Sequence, residues 1–96
     1  MSRKDARRAL MLRVPVDLRR AVLARDGGAR PLAAKLRGLL RRGLAAGLRP
    51  VAVAPGALRA SALQLSPDER AGMAAFGSDT ERAALGLIAA ALEAGA

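Results

Sequence analysis

The chain has no cysteine, no histidine, no tryptophan and no tyrosine, and its 96 residues include a single phenylalanine, Phe76. Without cysteine no disulfide framework forms, and without cysteine or histidine a zinc or haem site loses its usual ligands. No metal or cofactor is expected. Thiol and imidazole catalysis are excluded, and the serines Ser2, Ser61, Ser66 and Ser78 have no histidine to activate them. The composition does not describe an enzyme. Long apolar runs are also missing. The uncharged stretch from Ala83 to Leu92 covers about half of the roughly 20 residues that a bilayer crossing takes, and Arg13 interrupts the run that begins at Ala9. Neither a membrane span nor a signal peptide is expected, and the expected compartment is the cytoplasm.

What the chain does have is leucine, alanine and positive charge. Hydrophobic residues make up 52% of it, which argues for a folded domain rather than a disordered one. A domain of this size buries roughly 60 to 70% of the surface its unfolded chain exposes, so efficient helix packing or self-association is needed for stability. The charge is unevenly divided. Residues 1 to 50 hold 14 basic and 3 acidic side chains, a net of +11, whereas residues 51 to 96 hold 3 basic and 5 acidic, a net of −2. A field of that strength on 50 residues concentrates polyanions, of which nucleic acid is the commonest for a soluble protein and an anionic membrane surface the alternative.

Along the chain, residues 1 to 8 (MSRKDARR) lack any apolar period and read as a mobile basic arm. Ala9 to Val14 alternates, with Leu10, Leu12 and Val14 on one face and Ala9, Met11 and Arg13 on the other, before Pro15 ends the strand. A short helix follows from Val16 to about Asp26, with Leu18, Val22 and Leu23 as its apolar residues, stopped by Gly27 and Gly28. Pro31 opens a longer helix to Ala46, striped by Leu32, Leu36, Leu39, Leu40 and Leu44, with Lys35, Arg37, Arg41 and Arg42 outward. Pro50, Pro55 and Gly56 favour an extended linker over 48 to 59.

The same order then returns. Ser61 to Leu65 reads as a strand, and Ser66-Pro67-Asp68-Glu69 as a capping box opening a helix to about Phe76. Gly77 breaks that helix, and Ser78-Asp79-Thr80-Glu81 is a second capping box, opening a helix striped by Leu85, Ile88 and Leu92. A shift of 51 residues brings Leu12 onto Leu63, Val14 onto Leu65, Asp17 onto Asp68, Arg19 onto Arg70 and Leu36 onto Leu87. The reading is two strand-helix-helix units, 9–47 and 60–96, the second degenerate.

The run Leu10-Met11-Leu12-Arg13-Val14-Pro15-Val16-Asp17-Leu18, the short amphipathic helix, the glycine turn and the leucine-striped helix resemble ribbon-helix-helix DNA-binding proteins of the Arc and MetJ type. The resemblance covers residues 9 to 46 and, more weakly, 60 to 94. It implies a mainly α fold with a short antiparallel β-ribbon that enters the major groove. With both units in one chain, it implies a tandem pseudodimer. It further implies base reading by Ala9, Met11, Arg13, Ala62 and Gln64, and a phosphate clamp at the start of the second helix, where Gly28, Ala29 and Arg30 stand. Arg3, Lys4, Arg7 and Arg8 of the arm are expected on phosphates. If the strands pair within the chain around Met11 and Ala62, Gln64 lies opposite Ala9 and Arg13 opposite Ala60. The second half carries Asp79 and Glu81 at its clamp position, carboxylates that repel phosphate and whose ordinary use is helix capping.

The expected function is duplex DNA binding as a transcriptional repressor or as a plasmid or phage DNA accessory factor. Two alternatives stand beside it. One is an antitoxin in which residues 9 to 46 bind DNA by self-association with the same segment of another chain while residues 57 to 96 hold a protein partner; the other is a basic amphipathic protein for anionic membranes or a partner helix.

Overall fold

The computed structural model describes residues 8–25, 30–56 and 60–95. In chain order these form β1 (Arg8–Leu12), α1 (Val16–Arg25), α2 (Leu32–Ala45), β2 (Ser61–Leu65), α3 (Pro67–Ala74) and α4 (Thr80–Glu93). Among the described residues the protein is mainly helical, with one two-stranded antiparallel sheet, and the order strand-helix-helix occurs twice.

The ribbon joins the two halves. Met11 pairs with Ala62, Ala9 with Gln64 and Leu10 with Leu63. Met11 and Ala62 are also equivalent under the shift of 51, the condition for two units related by an approximate twofold through that pair. Alternation does the sorting: Leu12, Leu63 and Leu65 are fully buried, while Ala9, Met11, Ala62 and Gln64 are exposed. The strand begins one residue earlier and ends two residues earlier than the alternation suggested, so Arg8 belongs to the ribbon and not to the arm.

The halves interlock. Helix α2 packs on α4 and on β2, and α4 packs on β1, so each long helix supports the strand of the other half. The core is made of Leu12, Val22, Leu36, Leu40, Leu63, Leu65, Met73, Leu85, Leu87 and Ile88. Helix α4 is buried around most of its circumference, from Ala83 to Ile88 and at Ala90 and Ala91, which a single stripe of Leu85, Ile88 and Leu92 did not convey. Its alanines and Gly86 leave room for neighbours on every side.

Local chemistry sets the ends of the elements. Ser66 and Glu69 form a reciprocal capping box at α3, with Ser66 N–H donating to Glu69 Oε1 at 2.9 Å and Glu69 N–H to Ser66 Oγ at 3.2 Å. Helix α2 closes on Gly47, at φ +69°, where Leu48 N–H reaches the Gly43 carbonyl and Gly47 N–H the Leu44 carbonyl.

Several expectations are corrected. Leu23 is 43% exposed, because it lies five positions from Leu18 and turns away from the face that Leu18 and Val22 share. Lys35 is buried and not outward, since α1 covers that side of α2. The second capping box does not form: Asp79 caps α4, its side chain accepting from Arg82 N–H, and the Glu81 carboxylate turns elsewhere. Helix α4 aligns with α2 by a shift of 48, not 51, so Leu36 answers to Ala84 and the match with Leu87 is coincidental. The described part of the linker, residues 48–56, lies against the body: Val51 N–H donates to the Gly86 carbonyl at 3.2 Å and Gly56 N–H to the Arg13 carbonyl at 2.6 Å. Leu48 and Val53 pack against the core.

Candidate nucleic-acid interface

The outward face of the ribbon is small and nearly uncharged. It carries Ala9, Met11, Ala62 and Gln64, all exposed, with Met11 the most prominent at 53%. The methyl-bearing groups suit apolar contact and Gln64 offers a paired donor and acceptor. Arg8 is exposed at one end of the ribbon, opposite Leu65. Arg3, Lys4, Arg7, Gly28 and Ala29, expected on phosphates, lie outside the described residues.

Arg13 is not on the ribbon. The last strand pair is Leu12 with Ser61, and Arg13, expected opposite Ala60, turns to α4 instead. Its backbone N–H donates to Glu81 Oε2 at 2.8 Å, its Nε to the same oxygen at 3.1 Å and its Nη2 to Oε1 at 2.7 Å. The Glu81 carboxylate, displaced from capping because Asp79 already serves that end, thus ties the end of β1 to the start of α4. Arg13 remains partly exposed, but its two inner nitrogens are committed. Nothing local in the sequence announces this contact, since the partners are 68 residues apart.

The two long helices differ at their starts. Helix α2 begins after Pro31 with no side-chain cap and no acidic residue in its first turn, and the exposed Arg30 stands just before it. Free N–H groups, the helix dipole and a guanidinium together favour an anion. Helix α4 begins at Asp79, whose carboxylate accepts from Arg82 N–H, so an anion arriving there meets a negative charge.

Glu69 is a second hub that the sequence reading missed. Beyond its capping role it accepts Arg37 Nη2 at 3.4 Å and lies 3.2 Å from Arg41 Nε, drawing two arginines of α2 into contacts within the protein. Burial pushes the Glu69 carboxyl up, but the Ser66 backbone N–H, Arg37 and Arg41 outweigh it and hold it below the usual 4.5. Glu81 is also held below that value, first by the Arg13 side-chain hydrogen bond and further by the Arg13 backbone N–H and the charges of Arg13 and Arg82, against a smaller opposing effect of burial. The same contact raises the Arg13 guanidinium.

A carboxyl whose pKa is lower folded than unfolded adds stability above its unfolded value, and that stability is lost as pH falls through the folded one. Urea midpoints should therefore fall from about pH 5 to about pH 3. In Glu81→Gln the fall should be shallower, with the remaining slope belonging to Glu69. An equal slope in both proteins would show that the Arg13–Glu81 contact adds nothing.

No family model, curated protein or solved structure matches this chain. Among the described residues no helix is long and apolar enough to cross a membrane, and no group of acidic side chains is placed to hold a metal ion.

Proposed function

We propose that this chain binds duplex DNA as a single-chain ribbon-helix-helix module, serving as a repressor or as an accessory factor of DNA transactions. The observation that carries the reading is the ribbon: two short strands, one from each half, pair in the register a twofold requires and expose Ala9, Met11, Ala62 and Gln64 beside the half that holds a net +11. Gln64 is the polar base reader on this face and pairs best with adenine, while Met11 and the alanines suit thymine methyls. Phosphate contacts fall to Arg8 and Arg30, with Arg3, Lys4 and Arg7 preceding the ribbon in sequence. The start of α2, which has no side-chain cap, serves as the one clamp, because the Asp79 carboxylate caps the corresponding end of α4. The binding site is non-palindromic, since under the shift of 51 Met11 answers to Ala62 and Gln64 to Arg13, which lies off the ribbon.

With about 4 to 6 phosphate contacts, the log–log dependence of affinity on salt should have a slope near −4 to −5. Fluorescence anisotropy of a labelled duplex between about 50 and 200 mM salt measures it. No binding at the lower salt would end the proposal, and capture on anionic liposomes without duplex binding would transfer it to membrane surfaces. The antitoxin reading in which the second half is a separate module fits poorly, because α2 and β2 share one core.

A further inference from the structure

The ribbon carries one outward position twice. Under the shift of 51 that relates the strands, Gln64 answers to Arg13, and each lies two residues from the central pair of Ala62 with Met11, at opposite ends of the ribbon. Gln64 stands opposite Ala9, outward and exposed. Arg13 does not follow it. The Glu81 carboxylate takes Arg13 Nε at 3.1 Å and Nη2 at 2.7 Å, the side-on fork of the guanidinium, and the Arg13 backbone N–H at 2.8 Å. The Arg13 carbonyl accepts from Gly56 N–H. Both backbone groups of Arg13 are thus engaged outside the ladder, and regular pairing stops at Leu12 with Ser61.

Only one half carries this restraint. Helix α4 aligns with α2 by a shift of 48, which sets Ala33 of α2 in the place of Glu81, and the first turn of α2 has no acidic residue. Asp79 is occupied by Arg82, accepting its backbone N–H at 3.1 Å and lying 3.4 Å from its Nε, which leaves Glu81 to Arg13. Arg8, opposite Leu65, stands at the ribbon end that Gln64 occupies. One end therefore offers an amide beside an exposed cation, and the other an arginine whose charge is met by a carboxylate.

We propose that Glu81 sets the sequence specificity of the reading face. By holding Arg13 off the ribbon it silences one of two equivalent readers, so base recognition, on the duplex-binding function on which this inference rests, is confined to the half-site beneath Gln64. The preferred duplex then has one defined half, with adenine facing Gln64, and a second half of free sequence contacted through its backbone. The silenced reader is held and not lost. The Arg13 side chain is 54% exposed, and its grip depends on two carboxylate oxygens acting together, so neutralising Glu81 is enough to release it. An arginine so released presents two parallel donors, which suit the O6 and N7 acceptors of guanine. Glu81 is a positioning residue: it acts on the duplex through Arg13.

Sequences selected by the full chain from a random duplex pool test this. Wild type is expected to select adenine on one side of the ribbon centre and no base on the other, and Arg13→Ala should select the same sequences. In Glu81→Gln the amide oxygen still accepts from Arg13 N–H, but the charge and the second acceptor are gone. Guanine should then be preferred about tenfold at the position that the twofold relates to the adenine, and adding Arg13→Ala should remove that preference. Wild-type preferences on both sides, or Glu81→Gln folded by its thermal transition and selecting as wild type does, overturn the proposal and leave duplex binding standing. Should Glu81→Gln fail to fold, the other half decides. Gln64→Arg, an exposed change with no acidic residue in the first turn of α2, should exchange adenine for guanine, and Ala33→Glu added to it should abolish the guanine preference. A guanine preference that is absent from Gln64→Arg, or that survives Ala33→Glu, overturns the proposal. Absence of duplex binding by the wild type at about 50 mM salt strikes it together with the function on which it rests.

Discussion

Replacing Gly86 with valine should destabilise the fold by about 3 kcal/mol, the upper part of the usual range for overpacking. Alanine at Gly38, the same helix position in the other half, should stabilise it by up to about 1 kcal/mol. The intrinsic preference is identical at the two sites, since glycine in a helix interior is disfavoured relative to any ordinary residue. Opposite signs therefore isolate the tertiary environment. At Gly86 the atoms an added side chain meets are the Val51 carbonyl and the Pro50 ring, backbone and near-backbone groups that cannot rotate aside. Relief requires lifting the linker, which gives up the Val51–Gly86 hydrogen bond and exposes Val53 and Leu48 beside it. Paired urea denaturation curves decide the matter. If Gly86→Val is neutral, the linker is loosely held and the contrast with Gly38, where no described atom lies within 4 Å of an added Cβ, loses its force.

That linker shows where sequence reading stops. Prolines 50 and 55 and Gly56 excluded a helix correctly, because those preferences are local, but nothing local says that an extended segment will dock. The same division holds elsewhere. The faces of the two strands were legible from alternation, and the register followed on the condition that they pair within the chain; that condition is met only by the folded chain, where Met11 lies opposite Ala62. The capping box at Ser66 was legible because its partners are three residues apart. The apparently equivalent box at Ser78 failed because Asp79, one residue on, caps the helix first and frees Glu81 for Arg13. Lys35 was misplaced outward because charge outweighed position in reading the helix, although it lies one residue before Leu36 on a helix flanked by α1. For the candidate interface, the four ribbon residues keep their outward places, while Arg13 left the set through a contact that only the folded chain creates.

Truncating the two neighbours Leu12 and Met11 should have opposite consequences, and this measures the ribbon directly. Leu12 is fully buried on the inner face of β1, the strand that α4 supports. Removing its side chain to alanine should cost about 2 to 5 kcal/mol through lost burial and the cavity left behind. A domain of this size has a total stability of roughly 5 to 15 kcal/mol, so Leu12→Ala should bring the midpoint close to working temperature. Met11, one residue back, points the other way and is 53% exposed. Met11→Ala should change stability by no more than about 0.5 kcal/mol, the ordinary range for a surface substitution. Its effect belongs to binding: with the side chain gone, the centre of the outward face, where Met11 meets Ala62, loses its largest apolar contact. Duplex affinity should fall at the preferred sequence more than at random sequence, because phosphate contacts are untouched. Leu12→Ala should weaken both equally, and only to the extent that the protein is unfolded, a fraction that denaturation curves supply. If Met11→Ala binds every duplex as wild type does, the ribbon is not the reading surface, whatever the charge of the first half contributes. If Leu12→Ala proves as mild as Met11→Ala, the two strands do not share one core, and the pairing of the halves through β1 and β2 is refuted along with the single-chain module built on it.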